Sequence, residues 1–137
     1  MDNRRNFLKT SVLIAAGVAV SGKAIAAKGK KEKLNLPGLI YTEKHQGKWK
    51  NKAASHLPQV SVKENQVTLV TEHGMSQQHY IVRHTLVDAK GNVLGAKTFY
   101  PSDKPESTFK LPQGFKGKLY ATSFCNKHDF WVATFEI

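Results

Sequence analysis

Residues 59–70 read "QVSVKENQVTLV". Apolar and polar residues alternate on both sides of "KEN", so each half has one apolar and one polar face when extended. The stretch predicts a β-hairpin. The same character runs on toward the C-terminus. "HYIVRHTLVD" (79–88) is rich in β-branched and aromatic residues and reads as a strand, "AKGN" (89–92) as a turn, and "VLGAKTFY" (93–100) as another strand. "PSDKPE" (101–106) reads as a loop and "PQGFKG" (112–117) as a turn. "STFKL" (107–111), "KLYATSF" (118–124) and "WVATFEI" (131–137) complete a set of about seven short strands. No stretch carries a helical period. Short strands joined by Gly, Pro, Asn and Asp turns predict an all-β sandwich with alternate residues facing inward.

Upstream of the hairpin the sequence changes. Residues 36–58, "LPGLIYTEKHQGKWKNKAASHLP", are rich in Lys, Gly and Pro and read as an extended lead-in or loop. Residues 27–35, "AKGKKEKLN", are charged and lack periodicity, which predicts flexibility. The first 26 residues carry Arg4 and Arg5, an apolar run from Val12 to Val20, and small residues at Ala24 and Ala26. This is the order of a basic segment, a short apolar segment and a cleavage site. The apolar run is too short to span a bilayer, which takes about 20 residues. The pattern resembles a bacterial twin-arginine signal, with Asn3 where Ser or Thr is usual, and implies export to the periplasm.

The chain carries 21 Lys and Arg against 10 Asp and Glu, a formal charge of +11. A basic surface suits an anionic ligand or an acidic partner. Nucleic acid is not expected as a partner: export argues against it, and no RNA-binding motif or base-reading basic helix is present. One cysteine, Cys125, excludes an internal disulfide. In an exported protein such a thiol is a buried passenger, an intermolecular bridge, or a reactive or metal-bound thiolate.

The histidines bear on that choice. They are His45, His56, His73, His79, His84 and His128. Five fall at predicted loops or strand ends. His84 lies in mid-strand and reads as an ordinary strand residue without a part in metal binding. Imidazole is the commonest transition-metal ligand, and thiolate is a soft, strongly donating one. Cys125-x-x-His128 sits between two strands, where a turn can present both side chains to one point. Each pair taken singly is weak, and exposed imidazoles need no role. Several of them with the lone thiol point to a metal site, whose metal the residues leave open. A copper electron-transfer site needs two His, one Cys and a weak Met. Beyond the signal only Met75 offers that sulfur, and it lies far from Cys125 in sequence.

"HLPQV" (56–60), "HGMSQQHYI" (73–81) and "SFCNKHDFW" (123–131) together resemble the iron-site segments of the superoxide reductases, the neelaredoxin and desulfoferrodoxin family. That family's pattern is His-apolar-Pro, then His-x5-His-Tyr-Ile, then Cys-Asn-x-His-x-x-Trp. Asp129 stands where the family usually has Gly. The resemblance covers residues 47–137, leaving 27–46 as a flexible N-terminal segment after the signal at 1–26. It implies the one-domain, neelaredoxin type, because the additional rubredoxin-like domain needs four cysteines.

The resemblance implies an immunoglobulin-like β-sandwich and a mononuclear iron with four equatorial histidines and an axial cysteine. Carried onto this sequence, the axial ligand is Cys125, and His73, His79 and His128 are equatorial. For the fourth, His56 is followed by Leu57 and Pro58 as the family requires, whereas His45 has only the preceding "EK" in its favour. Choosing His56 puts Ala54 and Ser55 where the family has Glu and Lys. Lys48, Lys50 or Lys52 would then supply the charge that attracts superoxide, and Glu43 and Lys44 are candidates to fold over the site. The implied activity is reduction of superoxide to hydrogen peroxide with an external electron donor, such as rubredoxin or another small redox protein. A homo-oligomer is compatible with it. The alternatives are an iron-binding redox sensor or electron carrier, the copper module, and a metal-free interaction domain.

Overall fold

The computed structural model describes residues 36–137. The expected signal at 1–26 and the charged stretch at 27–35 lie outside the described residues. The strands are β1 (Ile40–Tyr41), β2 (Gln59–Lys63), β3 (Gln66–Val70), β4 (Ile81–Asp88), β5 (Val93–Thr98), β6 (Glu106–Lys110), β7 (Lys118–Cys125) and β8 (Asp129–Glu136). They form a five-stranded sheet in the order β1-β8-β7-β4-β5 and a three-stranded sheet in the order β2-β3-β6. The hairpin at 59–70 is present: Lys63 pairs with Gln66, leaving Glu64 (φ 54°) and Asn65 as its turn.

Alternation along the strands builds the core. In β7, Leu119, Ala121, Ser123 and Cys125 all face inward, so the thiol ends a buried row. Val67 and Leu69 of β3 meet Leu86 of β4 and Leu119 and Ala121 of β7 across the sandwich. Each of the valine and leucine side chains in this set contributes about 1.5–3 kcal/mol by leaving water. Close approach of the two sheets is needed at Gly95 of β5, where a Cβ would collide with the ring of Phe109 in β6. In β4 both Ile81 and His84 are buried, although an odd spacing should put them on opposite faces. A register shift against β7 between Ile81 and Arg83 accounts for this: the irregularity turns the strand so that both point inward.

Three elements differ from the sequence reading. Within the segment expected to be a flexible lead-in up to residue 46, Ile40 and Tyr41 pair parallel with Phe130 and Trp131 of β8. Tyr41 is fully buried, 5.5 Å from the Trp131 ring. Two residues are too few to show a period, so the strand is set by its partner. Residues Gly47–Trp49 form a 3-10 turn, and Ala53–His56 form a short helix, α1, closed by Leu57 N–H donating to the Ala53 carbonyl at 2.9 Å. Among the described residues no helix is long and apolar enough to cross a membrane.

Candidate metal centre

Three separate pieces of chain converge at one end of the sandwich. Helix α1 brings His56, the β3–β4 loop brings His73 and His79, and the β7–β8 turn brings Cys125 and His128. One ligand atom from each of these five residues lies within 4.8 Å of all the others. Nε2 of His56 is 3.0 Å from Nδ1 of His128. That nitrogen is 3.0 Å from Nε2 of His79, which in turn is 3.1 Å from Nε2 of His73. The Cys125 sulfur lies 3.2, 3.7 and 3.9 Å from the donor nitrogens of His79, His128 and His73.

These contacts are too many to be hydrogen bonds. A neutral imidazole has one N–H. In His56 the Nδ1 side is engaged, 3.0 Å from the Lys52 carbonyl oxygen and 2.8 Å from Ser55 Oγ. The carbonyl can only accept, so the proton sits on Nδ1 and Nε2 presents a bare lone pair to the centre. Donors about 2.1 Å from a common ion and at right angles to each other lie about 3.0 Å apart. The observed nitrogen spacings match that value. The donor set therefore fits one first-row transition ion held by four imidazoles and a thiolate. A blue-copper site uses two imidazoles. Met75 packs on Ile81, Phe99 and Cys125 with its sulfur 3.4 Å from the Ile81 N–H.

The electrostatics suit such an ion. Burial is the main cause that lowers the pKa of His56, to about 4, with the neighbouring imidazoles adding to it and the Lys52 carbonyl opposing it. Burial likewise leads in lowering His73, His79 and His128. All four are held neutral, the form that binds metal. Burial raises the Cys125 thiol, while the backbone N–H groups of Lys127 and His128 favour its thiolate. Those two N–H groups lie in the turn where sulfur-directed hydrogen bonds are expected. A bound cation acts in the same direction and removes the proton outright.

The five expected ligands, His56, His73, His79, Cys125 and His128, are the five that meet. His45 is elsewhere, exposed and beside Lys50 and Tyr41 in a shallow cavity. The three candidate lysines separate. Lys48 sits 3.5 Å from Asp129. Lys50 lines the cavity with His45. Lys52 alone of the three is close enough to depress the pKa of His73, His79 and His128. Lys127 acts in the same way on His79 and His128 and was missed. Its position between Cys125 and His128 in "CNKH" is the signal that could have found it. Trp49 was also missed as a site residue: its ring meets His128 edge-on at 4.6 Å.

A β-sandwich that gathers four imidazoles and one thiol at a single point defines the class: a mononuclear metal protein with mixed nitrogen and sulfur ligation. The desulfoferrodoxin family model matches residues 38–134. Among solved structures, the chain is similar to the superoxide reductase (neelaredoxin) of Ignicoccus hospitalis. The two are 30% identical with a TM-score of 0.62, over 75% of this chain and 97% of that one. A single-site variant of that protein gives 32% identity and a TM-score of 0.66, over 75% and 96%. The superoxide reductase (1Fe-SOR) of Giardia intestinalis shares the fold at 24% identity and a TM-score of 0.54, over 61% and 98%. No curated protein matches. The chain belongs to the desulfoferrodoxin family.

Proposed function

We propose that this chain is a superoxide reductase, taking superoxide, one electron and two protons to hydrogen peroxide. The observation that carries the reading is the convergence of His56, His73, His79, His128 and Cys125 on one point, in a chain whose matched structures bear that name. Iron bound by these five side chains would supply the one-electron couple. The chain's own residues do the rest. The Lys52 carbonyl fixes the His56 tautomer and so aims its Nε2. The N–H groups of Lys127 and His128 draw charge from the Cys125 sulfur and tune how strongly it donates. Lys52 and Lys127 place positive charge beside the imidazoles, which raises the encounter rate with a small anion. Lys52 is our candidate for the lysine that the family carries just before its first ligand histidine, a position that is Ser55 here.

The electron comes from a separate donor, rubredoxin or another small redox protein. Export to the periplasm is supported by Arg4, Arg5 and the apolar run that follows them. The test is anaerobic superoxide consumption by purified, iron-quantified protein, with peroxide and oxygen both followed. Peroxide without oxygen is the expected result. Bound iron with no consumption would overturn the activity and move the chain to electron transfer or sensing.

A further inference from the structure

The sandwich interior holds a polar chain that the proposed reaction does not use. His84, on β4, is completely buried. Its Nδ1 is 2.8 Å from Ser107 Oγ on β6, and its Nε2 is 2.8 Å from Thr71 Oγ1 at the end of β3. Thr71 Oγ1 is 2.9 Å from Ser123 Oγ on β7. Thr71, Ser107 and Ser123 are buried as well. The four groups cross from one sheet to the other: Thr71 and Ser107 extend from the three-stranded sheet, His84 and Ser123 from the five-stranded one.

We propose that His84 is a positioning residue for the metal centre, holding His73 through Thr71 and Cys125 through Ser123. The placement of the two hydroxyls carries this. Thr71 lies two residues before His73, and the step between them is tight, since the His73 N–H donates to the Thr71 carbonyl at 2.8 Å. Ser123 lies two residues before Cys125 in the same inward row of β7. A movement at either hydroxyl passes directly to a ligand. A second route runs through Phe99, whose ring meets His84 edge-on at 4.8 Å and packs in one cluster with Ile81 and Cys125.

The chemistry suits a locating device. A neutral imidazole donates from one nitrogen and accepts at the other, so Ser107, His84, Thr71 and Ser123 form a chain of hydrogen bonds running in one direction. Each bond fixes a distance and an angle, which apolar contacts in the same space would not. Burying four polar groups is costly unless all are satisfied, and here each has a partner. Functional side chains need to be held to about 0.5 Å, and supporting hydrogen bonds are how proteins do this.

The inference rests on the metal-centre reading but not on the reaction assigned to it, so its test uses Co(II) as the probe. The full chain is stripped of metal and titrated with Co(II), following the thiolate-to-metal absorption band. His84→Leu removes both hydrogen bonds. His84→Gln keeps the bond toward Thr71. Leu86→Ala, in the apolar cluster, is a control for simple loss of core stability. We expect His84→Leu to shift the band and weaken Co(II) binding by about tenfold or more. His84→Gln should recover part of both effects. Leu86→Ala should lower the apo melting temperature without moving either. An unchanged band and affinity in His84→Leu would overturn the inference, as would an equal change in Leu86→Ala. If His84→Leu does not fold, Thr71→Val and Ser123→Ala replace it, and a band unmoved in both overturns the inference equally. A parent chain that shows no thiolate band with Co(II) would overturn the metal-centre reading and this inference with it, whereas a normal band without superoxide consumption would leave this inference standing.

Discussion

The indole N–H of Trp49 donates to Oδ2 of Asp129 at 3.0 Å and so ties the loop before α1 to the turn that carries His128. The same oxygen lies 3.5 Å from the Lys48 ammonium, which also sits 4.8 Å over the Trp49 ring. Asp129 has φ 64°, the left-handed region that Asp tolerates better than most residues. This explains how the chain departs from the glycine usual at this place in the family: it keeps the turn and adds an acceptor. Asp129→Gly should keep the turn but release Trp49, lowering stability by about 1 kcal/mol. Asp129→Asn should keep the Trp49 bond through its side-chain carbonyl. Trp fluorescence and thermal melting of the two variants distinguish these outcomes. The Lys48 pair has side chains 61% and 40% exposed, and pairs that open to solvent contribute little, so Lys48→Ala should leave the melting temperature nearly unchanged.

His56 and His45 give a direct contrast. His56→Ala should weaken metal binding by more than about tenfold, since it removes a ligand outright. His45→Ala should leave binding intact, because that imidazole stands outside the cluster. Metal titration of both variants checks this.

Cys125→Ser should abolish the thiolate-to-metal absorption band. The fold should survive, because the N–H groups of Lys127 and His128 remain to meet the hydroxyl. Absorption and far-UV circular dichroism on the same samples separate loss of the ligand from loss of the fold.

Burial holds His84 at a pKa of about 4, with Lys97, its cross-strand partner, adding to the effect. The unfolded chain binds a proton there near pH 6.5, and the folded chain does so only near 4. The stabilisation is therefore complete above pH 6.5 and is lost as pH falls from 6.5 to 4. For this group the loss at pH 5 is about 2 kcal/mol. Urea unfolding of the metal-free parent and of His84→Leu at pH 7 and pH 5 should show a smaller decline in the variant by that amount.

Lys52→Ala and Lys127→Ala should each slow superoxide consumption by a few-fold at low salt, and the difference should shrink as salt screens the charge. Lys48→Ala should not slow it, because Asp129 already offsets that ammonium. Stopped-flow rates at several ionic strengths test the ranking.

The strands from 59 onward were legible because period-two patterning and Gly, Pro, Asn and Asp turns are local signals, and β2 to β8 fall where those signals lie. The five side chains that converge could be named beforehand through the family resemblance carried by three short motifs, since the spacing of any one Cys/His pair is a weak signal. What was not legible depends on distant partners. Ile40 and Tyr41 are a strand only because β8 lies beside them. Lys48, Lys50 and Lys52 look alike in sequence, and only the 3-10 turn and α1 sort them. His84 shares strand parity with Leu86, which could have placed it inside. Its hydroxyl partners come from three other strands and strand ends, and no local pattern announces them.

His56 and His128 stand 72 positions apart in sequence and 3.0 Å apart in space. Unfolding carries them away from each other, so an unfolded chain offers an ion only fragments of the set. Whatever binds at this point therefore clasps three stretches of chain together, and occupancy and folding reinforce each other.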